Sequence, residues 1–413
     1  MTADFKEVVD EAIECHSDNL EQLSSFLWSH PELALQEAQA HEMLTDFLER
    51  EGFSVVRRYL LETAFKAEFH TPGGSDGPCI ALLCEYDALP DIGHGCGHNL
   101  IAEASVGAAL AVKAAMTKHK YIRGKVIELG TPAEESFCGK ELLIQKGALN
   151  GIDAAIMAHP CPRDILSVPF SALKQLVVQF KGKAAHAGAT PWHGLNALDA
   201  AVAAYNNISL LRQQLKPSAR IHGVINEGGK CPKVIPEETE MRFMVRSPSA
   251  EELAEILGKV EACFRGAAEA TGCTLKIEKM ETYMQIIYNA CINKAYRKHA
   301  HSLGVSFLDD FIKNMPTAGA STDCGNVSHR IPTVHPMFSL GPTAAARGPT
   351  NHTREFADWA GKAASQAPTL RAAKIMALTV LDLFTDPDLL REAKAEFSAL
   401  SVTPHEEVQA LVP

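Results

Sequence analysis

The chain has 413 residues, 46% of them hydrophobic and 22% charged, which is the profile of an ordinary globular protein. That length predicts two or three domains. Acidic residues outnumber basic ones by 50 to 39, for a net charge of −11, and no long basic run occurs. The composition therefore argues against binding of nucleic acid or of an anionic membrane through a broad basic surface.

Cysteine usage and the N-terminus predict a cytoplasmic protein. The eleven cysteines have no framework spacing and no Cys-x-x-Cys pair, as expected for free thiols in a reducing compartment. The acidic, amphipathic N-terminus lacks the basic segment and apolar core of a secretory signal. No apolar stretch approaches the roughly 18 to 20 residues that a membrane span needs.

The predicted elements begin with two amphipathic helices in the first sixty residues, the second ending near Gly52. Strand-like and helix-like runs then alternate through CIALLCEYDALP, LIAEASVGAALAVKAAMTKH, GKVIELGTP, GKELLIQKGAL and IDAAIMAHP. Continuous apolar strands separated by helices indicate an α/β fold. We expect a mixed, mostly parallel hydrolase-like sheet with helices on both of its faces.

The pattern changes between about Phe170 and Tyr283. Half-exposed strands and two amphipathic helices follow one another there in the order β-α-β-β-α-β, which is the split ferredoxin-like pattern. We therefore predict an inserted α+β domain at 170–283. Residues 1–169 and 284–413 would then form one catalytic domain.

Several polar residues stand directly after the apolar strands of the first segment. Asp87, the pair Glu134 and Glu135, and His159 do so, and Cys96 and His98 occupy the next loop at the entrance to a helix. Ligands of α/β sheets gather beyond the carboxyl ends of the strands. We expect these side chains to converge at that edge.

The adjacent carboxylates of Glu134 and Glu135 would repel one another at a buried edge unless a cation compensates them. A metal ion bound to one carboxylate, with the other carboxylate left to carry a proton, would remove this repulsion. The alternative is that the two residues form a solvated acidic turn. A lone histidine at the position of His159 is more often a core residue than a ligand, and His352 stands in a Gly/Pro/Thr loop. The donors that together suit zinc, cobalt or manganese are Cys96, His98, Glu135, His159 and His352. Because five ligands exceed the need of one tetrahedral ion, two ions sharing a bridge are expected, with zinc the first choice.

The ordered motifs resemble the peptidase M20 family of metal-dependent amidohydrolases and dipeptidases, in particular its subfamily D. They are HPELALQE at 30–37, YDALP at 86–90, GCGHN at 95–99, TPAEES at 131–136, AHP at 158–160, KAAHAGATPWHGLNALDA at 183–200, VIPEETEMRFMVR at 234–246 and NHTREF at 351–356. CEYDALPDIGHGCGHNLIAEA and STDCGNVSH are most similar to the M20 domain-containing protein 2 group. That group comprises cytosolic dipeptidases for β-alanyl and other dipeptides ending in basic residues.

The resemblance implies a role for each matching residue. It makes Cys96, His98, Glu135, His159 and His352 the metal ligands. Glu134 is then the general base that activates the attacking water, and Asp87 orients a ligand. His186 becomes a histidine of the inserted lid that helps to hold the oxyanion in the partner subunit's active site, and Arg246 grips the substrate carboxylate. The lid would close over the substrate and form a homodimer.

Some positions depart from the family pattern or stay ambiguous. Lys233 stands where an asparagine is usual, as either a charged substrate contact or a surface lysine. His94 could compete as a ligand or make a loop hydrogen bond. Asp323 could line the substrate pocket or cap a turn.

We therefore predict metal-dependent hydrolysis of the amide bond of a small dipeptide. An N-acyl-amino-acid amidohydrolase on the same machinery is the alternative. A thiol hydrolase with Cys96 as nucleophile, or a catalytically silent scaffold, would each leave part of the residue set unexplained.

Overall fold

The computed structural model describes residues 2–74, 76–308, 319–348 and 350–400, which divide into two compact units. Within those ranges, the first unit holds residues up to 168, 287–308 and 326–400, and the second holds 169–286 and 319–325. The segment 319–325 therefore groups with the second unit, although it follows the predicted insertion at 170–283. The predicted domain boundaries themselves stay a prediction.

The helices that we number are Thr2–Ser29 (α1), Ala38–Arg50 (α2), His98–Lys118 (α3), Glu134–Phe137 (α4), Gly139–Gln145 (α5), Ala197–Leu211 (α6), Ala250–Thr271 (α7), Ala290–Ser302 (α8), Cys324–Ser328 (α9), Pro342–Arg347 (α10), Arg354–Ala360 (α11), Gln366–Thr385 (α12) and Pro387–Leu400 (α13). The strands are Ser54–Arg57 (β1), Phe65–Phe69 (β2), Cys79–Cys84 (β3), Lys125–Gly130 (β4), Ala154–Ile156 (β5), His159–Cys161 (β6), Ala172–Lys181 (β7), Arg220–Glu227 (β8), Glu238–Ser247 (β9), Thr274–Tyr283 (β10), Thr333–Val334 (β11) and Met337–Ser339 (β12).

The first unit is built on a six-stranded mixed sheet in the order β1-β2-β4-β3-β5-β11. Strands β4, β3, β5 and β11 run parallel, while β1 and β2 add an antiparallel edge. The central strands are almost completely buried, which is why they appear in the sequence as continuous apolar runs. Strands β6 and β12 form a separate parallel pair, in which His159 lies opposite Met337.

Helices α1, α3 and α12 form the core on the sheet. Apolar residues recur at helical spacing along α1, and Val9, Ile13 and Leu20 are buried. Gly107 of α3 lets the helices approach closely, since a Cβ there would lie 3.2 Å from the side chains of Leu20 and Ala373.

Helix α3 is long and apolar enough to cross a membrane by length and composition, so the expectation that no such stretch occurs was wrong. Its most apolar 18 residues are 83% buried inside the protein, as in the core helix of a folded domain. Small alanine side chains permit this burial because neighbouring helices can approach it on several sides.

The second unit is a four-stranded antiparallel sheet in the order β10-β7-β9-β8, with α6 and α7 packed on it. Its chain order is β-α-β-β-α-β. The side chains of Asn196 and Ser249 accept backbone N–H groups and so cap the starts of α6 and α7. The predicted fold class, a mixed α/β sheet with an inserted ferredoxin-like domain, is confirmed.

Glu128 on β4 makes the stability of the fold depend on pH. The carboxyl is buried, and burial raises its pKa to about 8, from 4.5 in the unfolded chain. Between these values the folded state holds the proton that the unfolded state releases. The stability that Glu128 contributes is therefore complete below pH 4.5 and is lost as the pH rises through 8.

We expect Glu128→Gln to match the wild type near pH 5 and to exceed its stability by on the order of 2–4 kcal/mol at pH 9. Urea unfolding at both pH values measures the difference. Glu42→Gln, at an exposed position of α2, is the control and should show no such change. Equal stability of Glu128→Gln and the wild type at pH 9 would contradict the assignment.

Candidate metal centre

The site lies where β3 and β4 leave the sheet of the first unit. The two strands pair in parallel register up to Cys84 and Gly130, so the chain emerges from both at the same edge. Asp87 follows β3, and Glu134 and Glu135 follow β4 at the start of the short helix α4. This is the convergence that the strand pattern predicts.

Gly97 explains the spacing between the thiol of Cys96 and the imidazole of His98. Its φ is +77°, in the left-handed region that favours glycine. A Cβ there would also come within 2.6 Å of the Pro160 ring. The turn therefore brings two donor side chains to the N-terminus of α3, where both are buried.

Asp87 connects the two loops of the site. One carboxylate oxygen, Oδ1, accepts a hydrogen bond from His98 Nδ1 at 2.9 Å, and Oδ2 accepts the Glu135 backbone N–H at 3.0 Å. Since a carboxylate only accepts, Nδ1 of His98 carries a proton, and in the neutral ring Nε2 then carries the lone pair. Such an orienting carboxylate is typical behind a metal-bound histidine.

His159 is prepared in the same way. Its Nδ1 donates to the Pro160 carbonyl at 2.8 Å, which leaves the lone pair on Nε2, 3.4 Å from the Cys96 sulfur. The rings of His159 and His98 stand nearly perpendicular, with centroids 5.8 Å apart. In the neutral form of each ring, Nε2 therefore carries the lone pair that could bind a metal ion.

His352 approaches from the C-terminal part of the chain. Its Nε2 lies 3.5 Å from Oε2 of Glu135, and its backbone N–H donates to Gly95 at 2.8 Å. His352 has a φ of +67°, and Ala133 beside the glutamate pair has +64°. Positive φ values at non-glycine residues cost energy, and strained residues of this kind are often found at functional sites.

The donor atoms fall into overlapping groups whose members all lie within 4.8 Å of one another. These groups are Cys96 with His98 and His159, Cys96 with Glu135 and His352, and His98 with Glu134 and Glu135. Cys96 belongs to the first two groups. Two ions that share the thiolate therefore match the arrangement better than one ion does.

The donor set passes a simple test of fit for metal. Among the described residues, His98 Nε2 and Glu135 Oε1 are buried without a hydrogen-bond partner, although they face each other at 3.8 Å. Buried polar atoms of this kind are costly unless something satisfies them. A divalent cation would satisfy both, and thiolate, imidazole and carboxylate ligands suit zinc, cobalt or manganese.

Charge accumulates around these donors. Burial raises the pKa of Glu135 to about 7, and the neighbouring carboxylates of Asp87 and Glu85 add to that effect, while His98 opposes it. Burial alone would lower the pKa of His98, but the same two carboxylates raise it well above its usual value. The site thus carries an excess of negative charge, which attracts a cation.

Glu37 supports the glutamate pair from a distance and is absent from the sequence-based set. Its Oε1 accepts the Ala133 backbone N–H at 2.9 Å, and its Oε2 accepts the Thr63 hydroxyl at 2.7 Å. The carboxyl is fully buried, and burial followed by the charge of Asp87 raises its pKa to about 7. The only signal in the sequence was its place at the end of the HPELALQE motif.

Glu85 and Lys140 were also missed. They form a buried ion pair, with Nζ 2.5 Å from Oε1, directly behind His98. Nothing in the local pattern of either segment marks them as partners.

The remaining predicted residues have other surroundings. His94 is buried and bonds through Nε2 to the Leu27 carbonyl at 3.0 Å, so it makes a loop hydrogen bond and joins none of the donor groups above. Lys233 has an exposed side chain, and its carbonyl accepts the Ala187 N–H.

His186, Arg246 and Asp323 belong to the second unit. The backbone N–H groups of Gly188 and Ala189 donate to His186 Nδ1, so the neutral ring carries its proton on the exposed Nε2. Arg246 donates to the Ser321 hydroxyl at 2.9 Å. Asp323 is fully buried. Their roles, like the ligand and base roles in the first unit, stay predictions.

Comparisons with known proteins agree with this fold. Residues 171–271 match the family model of the peptidase dimerisation domain. The chain is 45% identical over 401 residues to the Xaa-Arg dipeptidase of Mus musculus, with 95% of this chain and 90% of that protein covered. It is 43% identical over 405 residues to the human Xaa-Arg dipeptidase, with the same coverage.

A solved structure from Bacillus subtilis, described as a dinuclear metal binding peptidase from the M20 family, shares the fold with a TM-score of 0.63. Its sequence is 20% identical, and the match covers 89% of this chain and 99% of that one. This chain therefore has the same fold as that peptidase. With the relatives above, the chain belongs to the peptidase M20 family, and the predicted family and enzyme class are confirmed.

Glu37→Ala is expected to leave a buried N–H and a buried hydroxyl without acceptors. We expect a loss of about 2–3 kcal/mol of stability and a fall in zinc affinity of about 10–100-fold, because the glutamate loop is less well positioned. Denaturant unfolding and competitive zinc titration measure the two effects. Thr63→Val is the control for affinity, because it keeps the contact between Glu37 and Ala133. Equal zinc affinity of Glu37→Ala and the wild type would show that Glu37 does not position the glutamate loop.

Proposed function

We propose that this protein is a dinuclear metal-dependent dipeptidase. The observation that carries the proposal is the pair of donor groups that share Cys96, with the Glu134 carboxylate beside them. Hydrolysis of an amide needs an activated water, a stabilised oxyanion and a protonated leaving nitrogen. The described residues of the first unit offer groups for the first and last of these needs.

Cys96, His98 and His159 would hold one ion, and Cys96, Glu135 and His352 the other. Divalent ions in such a site lower the pKa of a coordinated water from about 15.7 to about 7 and polarise the scissile carbonyl. Asp87 keeps His98 in the tautomer that can ligate, and it also fixes the Glu135 backbone. Zinc is the first choice of metal, ahead of manganese and cobalt, because the site has a thiolate ligand.

Glu134 would act as the general base. Its carboxylate lies within 4.8 Å of donor atoms of His98 and Glu135, and its side chain is buried, so it can take a proton from the attacking water in a dry setting. The same carboxyl can then deliver the proton to the leaving amine. Within the predicted mechanism Arg246 and Asp323 contact the substrate, and His186 stabilises the oxyanion.

The substrate class follows from the relatives. Proteins named Xaa-Arg dipeptidase are 43–45% identical to this chain over 95% of its length, so we propose dipeptides that end in a basic residue as substrates. Burial raises the pKa of the Cys96 thiol well above its usual value, and Glu135 adds to that effect. A nucleophilic cysteine needs the opposite shift, which argues against the thiol hydrolase.

We further propose that the protein forms a homodimer through its second unit. The second unit presents exposed apolar side chains on α6 and on β8, an edge strand of its sheet, among them Tyr205, Leu210 and Val224. Together with the match to a dimerisation domain, they favour a homodimer through this face.

We also propose a cytoplasmic location. All eleven cysteines, each within the described residues, are free, in keeping with a reducing cytoplasm.

Metal content and turnover, measured on the same preparation, test the function. We expect about two divalent ions per chain, and hydrolysis of dipeptides ending in arginine or lysine that is lost on chelation and restored by zinc, manganese or cobalt. A panel of N-acyl amino acids distinguishes the amidohydrolase alternative. Turnover that survives complete metal removal would overturn the proposal.

Glu134→Gln should bind both ions as the wild type does and lose about 10²–10⁴-fold in kcat, because the base is gone. Glu128→Gln, in the same sheet but outside the site, is the matched control for activity at neutral pH. A Glu134→Gln enzyme with wild-type kcat would remove Glu134 from the mechanism.

The dimer can be tested by charge on its proposed face. The double variant Leu210→Glu with Val224→Glu should weaken self-association by at least about 100-fold, since two apolar contacts are replaced by repelling carboxylates. Sedimentation equilibrium measures the change. Val56→Glu, at an exposed apolar position of the first unit, is the control. A double variant that stays dimeric at wild-type concentrations would place the interface elsewhere.

A further inference from the structure

Glu85 has no role in the mechanism above, yet it lies inside the candidate site. It follows β3 directly and is fully buried. Its Oε2 lies 3.3 Å from His98 Nε2, closer to that nitrogen than Oε1 of Glu135 at 3.8 Å. One of its carboxylate oxygens is also within 4.8 Å of Glu134.

The contact with His98 needs a metal ion or a proton between the two atoms. Since His98 Nδ1 donates its proton to Asp87, the neutral ring has only a lone pair at Nε2. Glu85 Oε2 is likewise an acceptor, and within the described part of the chain both atoms are buried without a hydrogen-bond partner. Two electron-rich atoms at this separation repel each other unless a metal ion or an additional proton is shared.

Lys140 accounts for the other oxygen of Glu85. Its ammonium, on α5, lies 2.5 Å from Oε1, and both side chains are 1% exposed. The ion pair orients the carboxylate so that Oε2 is the oxygen that faces His98. It also places a fixed positive charge beside Glu85, which lowers the cost of burying that carboxylate.

We propose that Glu85 is an additional ligand, through Oε2, of the metal ion that His98 holds, and that Lys140 positions its carboxylate. This inference rests on the proposed dinuclear function. It extends the ligand set to six residues and distinguishes the two ions: the ion on His98 has an extra carboxylate, whereas the ion on His352 stands at the exposed side of the site. The His98 ion is then the more tightly held of the two.

The test uses two variants. Glu85→Gln removes the carboxylate that pairs with Lys140, and the double variant Glu85→Gln with Lys140→Met replaces the ion pair by neutral side chains of similar size. Each purified protein is stripped and titrated with zinc against a chromophoric chelator. Each is also loaded with cobalt, whose visible absorption reports ligand number and type. Glu128→Gln is the control for loss of a buried glutamate elsewhere in the first unit.

We expect both Glu85 variants to bind the tighter ion at least about 100-fold more weakly, which is beyond the 10–100-fold of an outer-shell change. Their cobalt spectrum should change at the first equivalent. Lys140→Met, which keeps the carboxylate, should retain two ions and the wild-type cobalt spectrum with affinity within about tenfold.

Two equally tight zinc ions and an unchanged cobalt spectrum in the folded double variant would overturn the inference and leave the shared proton as the explanation of the contact. A wild-type protein that binds no metal would instead overturn the proposed function itself. The two failures are therefore distinguishable by the wild-type titration alone.

Discussion

The candidate site depends on one carboxylate. Asp87 accepts His98 Nδ1 with one oxygen and the Glu135 backbone N–H with the other. A single rigid group thereby sets the tautomer of one proposed ligand and the position of a second, on loops that leave adjacent parallel strands. Such positioning within a fraction of an ångström is what a preorganised metal site requires.

The buried groups around Asp87 have an unfavourable electrostatic free energy, which a bound cation would lower. Carboxylates of Glu85, Asp87 and Glu135 stand around one imidazole, and the described residues leave buried oxygen and nitrogen atoms there without partners. Lys140 offsets part of this charge. Removing one member of a buried pair of this kind typically costs about 3–5 kcal/mol, so the pair is sensitive to single substitutions.

Part of the backbone strain of the described chain lies at the same place. Ala133, Cys138 and His352 all adopt positive φ, and they stand next to or within the proposed ligand set. Contacts from elsewhere in the first unit hold them, among them Glu37 on the Ala133 N–H and Gly95 on the His352 N–H. Stability in the surrounding core thus supports a conformation that the local chain disfavours.

The sequence by itself determined the order of helices and strands and the ferredoxin-like insertion, and it predicted the donor residues. Each of these follows from local periodicity or from the residues that come after an apolar run. Only the tertiary structure showed that Glu37 and Lys140 serve the site, since their partners lie 96 and 55 residues away in the chain. It also showed that the apolar helix α3 is a core helix, because burial depends on which neighbours surround it. Long-range contacts of this kind are decided by the packing of whole elements and leave no local pattern to read.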